Sequence, residues 1–102
     1  MRNAKKELLK EVKDTAKIKC ASILYGQCYT NQIEIILKVG YVKEDYANFL
    51  KSLDFSYDSG FGGQELFGTI WLEDGTWLTR GEYDGSEWWE HNVLPPIPEE
   101  CL

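Results

Sequence analysis

The chain has 102 residues, of which 43% are hydrophobic and 14% aromatic, and its formal net charge is −6. That length suits one domain built on one core. It contains no run of 18 apolar residues to cross a membrane as a helix, and its lysine-rich start lacks an apolar signal region, so the expectation is a soluble cytoplasmic protein.

Residues 3–16 place Leu8, Leu9, Val12 and Ala16 on one stripe among lysines and acids, which predicts an amphipathic helix. Residues 18–25 and 32–42 read as two strands joined by a short loop, hence an antiparallel hairpin. In the second, Ile33, Ile35, Leu37, Val39 and Tyr41 alternate with Glu34, Ile36, Lys38 and Gly40, which predicts one buried face. Residues 43–54 predict a second helix, with Tyr46, Phe49, Leu50 and Leu53 at helical spacing and acids in the first turn, where the helix dipole favours them. A glycine-rich stretch, residues 56–63, follows. Its G-x-G-G run has no lysine behind it and leads into a strand, so a mobile contact loop or plain linker is expected, not a phosphate cradle.

The stretch LFGTIWLEDGTWLTRGEYDGSEWWEHNV, residues 66–93, carries all four tryptophans and two Asp-Gly pairs. Each pair supplies the positive-φ positions of a two-residue hairpin turn, which predicts a three-stranded meander. If Glu73 pairs with Thr76 and Tyr83 with Ser86, one face collects Leu66, Ile70, Leu72, Trp77, Tyr83 and Trp88 around Gly68 and Gly81. This is the expected core side, with Trp88 covering bare glycine backbone. The other face collects Phe67, Thr69, Trp71, Glu73, Thr76, Leu78, Arg80, Glu82, Glu87, Trp89 and His91, with Arg80 set over Trp89 as a cation–π pair. Residues 94–102 hold three prolines and are expected to form an extended tail. The fold class expected is α+β, a single small domain in the order α-ββ-α-βββ, with two helices packed on one face of an antiparallel sheet of about five strands.

No catalytic signature emerges. Cys20, Cys28, Cys101 and the single His91 lack the close cysteine pairs of a zinc site, so no metal and no cofactor is expected. Glu82 and Glu87 face each other across the second hairpin, but a domain of this size rarely forms the deep cleft a glycosidase needs, and they are read as solvated acids.

Charge is polarised. Residues 1–53 carry ten basic and six acidic groups, a net +4, whereas residues 54–102 carry Arg80 alone against eleven acids, a net −10. The half that bears the rings would repel phosphate, which argues against direct nucleic-acid binding; the same acids favour a basic protein surface that normally grips nucleic acid. The candidate partner-binding residues are Phe67, Trp71, Glu73, Arg80, Glu82, Asp84, Glu87, Trp89 and Glu90.

The segment DGTWLTRGEYDGSEWWEHNVLPPIPEEC resembles the C-terminal part of small proteins encoded by phages and prophages, and the compact acidic character is similar to anti-CRISPR and related anti-defence inhibitors. The resemblance covers about a third of the chain and has no motif that assigns residue roles. It implies a non-enzymatic inhibitor of a basic, nucleic-acid-handling host protein or nucleoprotein complex in a bacterial cytoplasm. Two other readings of the same face are a small-ligand or carbohydrate-binding module, with the rings stacked on a sugar or base, and a homodimer subunit.

Overall fold

The computed structural model describes residues 2–12, 17–26, 32–57, 64–83 and 86–102. Among the described residues, two α-helices, α1 (Ala4–Val12) and α2 (Lys43–Ser52), and a 3-10 turn at Glu99–Cys101 accompany seven strands: β1 (Arg2–Asn3), β2 (Ile18–Tyr25), β3 (Ile33–Leu37), β4 (Ser56–Tyr57), β5 (Leu66–Leu72), β6 (Trp77–Tyr83) and β7 (Ser86–Asn92). Five of them form one antiparallel sheet in the order β3-β2-β5-β6-β7. This is the α+β arrangement that the order of apolar periodicities predicts. Among the described residues, no helix is long and apolar enough to cross a membrane.

The two helices and one face of the sheet close a single core. Ala4 and Leu8 of α1 and Phe49 and Leu53 at α2 pack with Ile18, Ala21, Ile23, Ile35, Leu37, Leu66, Ile70, Leu72 and Leu78. Asn3 caps α1, its side-chain oxygen accepting the Lys6 N–H at 3.0 Å, and Asp45 accepts the Val42 N–H at 3.1 Å at the start of α2. Such caps satisfy donors that have no partner within the first helical turn. The chain start is tied to the end of α2 by a two-residue ladder that sequence periodicity is too short to reveal, Arg2 pairing with Tyr57 and Asn3 with Ser56. Ala4 N–H adds a bond of 2.9 Å to the Phe55 carbonyl.

Two strand details depart from simple alternation. In β2 the register shifts between Ile18 and Cys20, so Lys19 is an extra residue and the inward set changes parity: Ile18 is buried, and then Ala21 and Ile23. A bulge of this kind lets a strand with an irregular apolar pattern keep one buried face. Strand β3 ends at Leu37, earlier than the expected Val42. Gly40, at φ +81°, turns the chain toward α2, so Val39 is exposed and Tyr41 only half-buried, whereas Ile35 and Leu37 point inward as expected.

The largest correction lies at the first reversal of the meander. Trp71 pairs with Trp77 and Ile70 with Leu78, one residue away from the expected register. Leu72 N–H donates to the Thr76 carbonyl at 2.9 Å and Gly75 N–H to the Leu72 carbonyl at 3.2 Å, with Gly75 at φ +86°. The loop therefore holds three residues, Glu73, Asp74 and Gly75: a type I turn followed by a glycine bulge, in place of a two-residue turn. The Asp74 carboxylate fixes it by accepting the Thr76 N–H at 2.9 Å and the Thr76 hydroxyl at 2.5 Å. These bonds, the hydroxyl first, hold the Asp74 carboxyl below its ordinary pKa.

A slip of one residue turns every side chain of the following strands to the opposite face. Trp77, Tyr83 and Trp88, expected in the core, lie on the face away from the helices, and Leu78, Arg80, Glu87 and Trp89, expected outside, lie on the helix side. The second hairpin keeps its expected pairing, from Tyr83 with Ser86 to Arg80 with Trp89, although Asp84 and Gly85 themselves lie outside the described residues.

Candidate binding surface

Strands β5, β6 and β7 separate two sets of chemistry. On the helix side, Arg80 and Glu87 are sealed, with side-chain exposures of 2% and 0%. Glu87 accepts the backbone N–H groups of Glu65 and Leu66, each at 3.0 Å, and Arg80 Nη2 at 3.3 Å. Arg80 also donates to the Tyr57 hydroxyl at 2.8 Å and to Glu7 at 3.2 Å. The Tyr57 hydroxyl donates to Glu7 at 2.5 Å, and Arg2 closes the set by donating to Glu7 Oε2 and to the Glu87 carbonyl, both at 2.9 Å.

Two guanidinium groups thus balance two carboxylates beneath α1. A buried charge is tolerated only when paired and hydrogen-bonded, and these bonds supply that condition. Arg80 lies 4.8 Å from the Trp89 ring centroid and 5.7 Å from that of Tyr57, the expected cation–π contact with Trp89, made in the interior. Burial, and then donation to Glu7, pushes the Tyr57 phenol well above its ordinary pKa. Among the described residues, Arg80 Nε and Trp89 Nε1 have no hydrogen-bond partner. The arrangement locks β5, β7, β4 and α1 together, and its chemistry is that of a structural clamp.

The opposite face carries Cys20, Ser22 and Leu24 of β2, Glu34 and Ile36 of β3, Phe67, Thr69 and Trp71 of β5, Trp77, Thr79 and Tyr83 of β6, and Ser86, Trp88 and Glu90 of β7. Neither helix covers it, since both bury their apolar residues in the core on the other side. Ile36 and Trp71 are 45% and 43% exposed, and Leu24, Phe67, Trp77 and Trp88 are half-buried. Trp71 sits directly across from Trp77, with Cys20 on its other flank. Trp88 lies over Gly81, whose absent Cβ would come within 2.5 Å of its indole nitrogen, and it donates to Glu90 at 3.0 Å. The expected covering of glycine by Trp88 therefore holds for Gly81, on the outer face. Gly68 meets a different neighbour: a Cβ there would lie 2.6 Å from the Ser22 carbonyl oxygen.

Of the candidate residues named from sequence, Phe67, Trp71 and Glu90 share this outer face. Glu73 is exposed in the first turn and Glu82 is exposed near the end of β6. Arg80, Glu87 and Trp89 belong to the internal clamp, and Asp84 lies outside the described residues. Sequence reasoning put Trp77 and Trp88 in the core; the signal against that was the run of aliphatic residues Leu66, Ile70, Leu72 and Leu78, which makes a more uniform inner face than one containing three large rings. Ile36 was set opposite the buried face of its strand, as found, but neither it nor Leu24 was named as a candidate. Cys20 and Cys101 are free thiols, and the described residues contain no group of histidine, cysteine and carboxylate side chains able to hold a metal.

Compared with protein families, curated proteins and solved structures, the chain matches none of them.

Proposed function

We propose that this chain is a non-enzymatic binding protein that docks through the outer, ring-bearing face of its sheet onto a basic host protein. The observation that carries the reading is a sheet face with three tryptophans, Phe67, Leu24 and Ile36 that neither helix covers. Large contiguous apolar patches on small proteins mark interaction sites, and tryptophan is the residue type that most often dominates binding energy at their centres. Among the described residues, the regularly paired strand positions of this face carry the charged groups Glu34 and Glu90, with exposed Lys19 beside Cys20 at the bulge; Glu73 and Asp74 stand in the adjoining turn. Rings in the middle and carboxylates at the margin suit a partner with a hydrophobic patch rimmed by lysine or arginine. The partner class proposed is a nucleic-acid-handling defence protein, a reading supported by the sequence resemblance to phage-encoded inhibitors.

The test is capture of host proteins on the immobilised chain at low and high salt, wild type beside a Trp71→Ala/Ile36→Asp variant. The reading expects a salt-sensitive partner that the variant fails to retain. A partner held equally by both, or no salt-sensitive partner at all, contradicts it.

A second reading rests on the directly paired indoles of Trp71 and Trp77, a platform on which a sugar or base ring stacks. A tryptophan fluorescence change with a panel of sugars and nucleotides, lost in Trp77→Ala, would favour that reading over protein docking.

A further inference from the structure

The two edges of the sheet are finished differently. At β7 the Glu87 carbonyl is taken by Arg2, and the strand carries the exposed Glu90 and His91. Charges and capped backbone groups are the usual means of keeping an edge from pairing with another chain. At the opposite edge β3 reads Ile-Glu-Ile-Ile-Leu, with Ile33 58% and Ile36 45% exposed.

Beside it runs a cleft of about 440 Å³ lined by residues 33–38 on one side and by Asp45, Asn48, Phe49 and Ser52 of α2 on the other. Strand residues of both parities line this cleft. That happens only where a cleft follows the edge of a strand, next to its backbone, and not the space under one face.

From this geometry we infer a peptide-docking site: an extended segment of a partner protein adds to β3 as a sixth strand in the groove between β3 and α2. Strand addition draws affinity from the unpaired N–H and C=O groups of an edge and specificity from pockets that take alternate side chains. One set of the peptide's side chains would enter beside Phe49, Asn48 and Ser52; the other would continue the outer face next to Ile36. The charged groups lining the groove are two carboxylates, Glu34 and Asp45, and one lysine, Lys38. Apolar residues alternating with lysine or arginine therefore fit, and the β3 of a second copy, which brings Glu34 and no cation, fits less well. The inference does not rest on ring-face docking.

The probe is a synthetic ten-residue peptide of alternating valine and lysine, compared with its valine–glutamate counterpart and with a version N-methylated at every second residue. Binding is followed by amide shifts and amide hydrogen exchange of the full chain. The inference expects shifts and slowed exchange confined to residues 33–38 and 45–52, at least tenfold weaker binding of the glutamate peptide, and loss of binding on N-methylation. Asn48→Trp, at an exposed helix position, should fill the groove and weaken the lysine peptide about tenfold, whereas Trp71→Ala should leave it unchanged. Equal binding of the N-methylated peptide, shifts centred on Trp71 and Trp77, no binding, or self-association through β3 that the peptide does not disturb would overturn the inference. Failure here leaves the ring-face capture result untouched, and the reverse also holds.

Discussion

The inner and outer faces of β5, β6 and β7 are made from alternate residues of the same three strands, yet one hides its charges and the other shows its rings. Inside, Arg80 and Glu87 are held by Tyr57, Glu7 and two backbone N–H groups. Outside, Trp71 and Ile36 meet water. Residue type alone would sort them the other way round. A three-residue reversal at Glu73-Asp74-Gly75 decides the matter, because turn length fixes which parity of β6 and β7 points at the helices.

The comparison is broken most severely at the clamp. Arg80→Ala or Glu87→Ala removes one partner of a buried ion pair, which typically costs ~3–5 kcal/mol, although after Glu87→Ala the guanidinium keeps its bond to Glu7. Urea unfolding should show a loss of that size for either single variant, and a smaller loss for Arg80→Met/Glu87→Leu, which removes both charges together. Equal, small losses for the single variants would mean that the pair is not sealed inside.

The two faces should also differ in their response to truncation. Leu78→Ala opens a cavity in the core and should cost ~2–5 kcal/mol. Trp71→Ala removes a larger side chain from the outer face and should change stability by only about 0.5 kcal/mol while abolishing partner capture. A reversal of that order would invert the assignment of faces.

The glycines sharpen the same contrast. Gly68, at φ +153°, would drive a Cβ against the Ser22 carbonyl oxygen and the Ile23 Cα, backbone atoms that cannot move away, so Gly68→Ala should cost ~1–3 kcal/mol. Gly81→Ala meets the ends of the Trp88 and Glu90 side chains, which can swing outward, and should cost less. Thermal melts of the two variants side by side make the check.

The smallest effect is pH-dependent. The phenol of Tyr57 is raised above its ordinary value of 10.0 by burial and by its bond to Glu7. Above pH 10 the unfolded chain releases this proton while the folded chain keeps it, so the folded state loses stability as pH rises from there toward the raised value. Tyr57→Phe should be less stable at neutral pH and show a shallower loss above pH 10, read from urea midpoints across that range.

Much of the architecture is written in periodicity. Phe49 and Leu53 at helical spacing, and Ile35 and Leu37 at strand spacing, are buried as that spacing requires. The pairing of Arg80 with Trp89 follows from counting across the second turn. The first turn could not be read the same way, because Asp-Gly serves both a two-residue turn and a three-residue turn with a glycine bulge, and the choice between them goes with burying Leu78 opposite Ile70 in the shared core. The bulge at Lys19 and the short β1–β4 ladder depend likewise on contacts far apart in sequence. The candidate surface was legible in part: Phe67, Trp71 and Glu90 share the exposed face, whereas Arg80, Glu87 and Trp89 went inside with the turn.

The account depends on Trp71 facing water while Trp89 is enclosed. A soluble paramagnetic agent added to the indole-labelled protein, with the four indole N–H signals assigned by single substitution, tests this directly. The Trp71 signal should broaden strongly and the Trp89 signal should persist; a protected Trp71 beside a broadened Trp89 would contradict the arrangement of faces and, with it, the proposed docking surface.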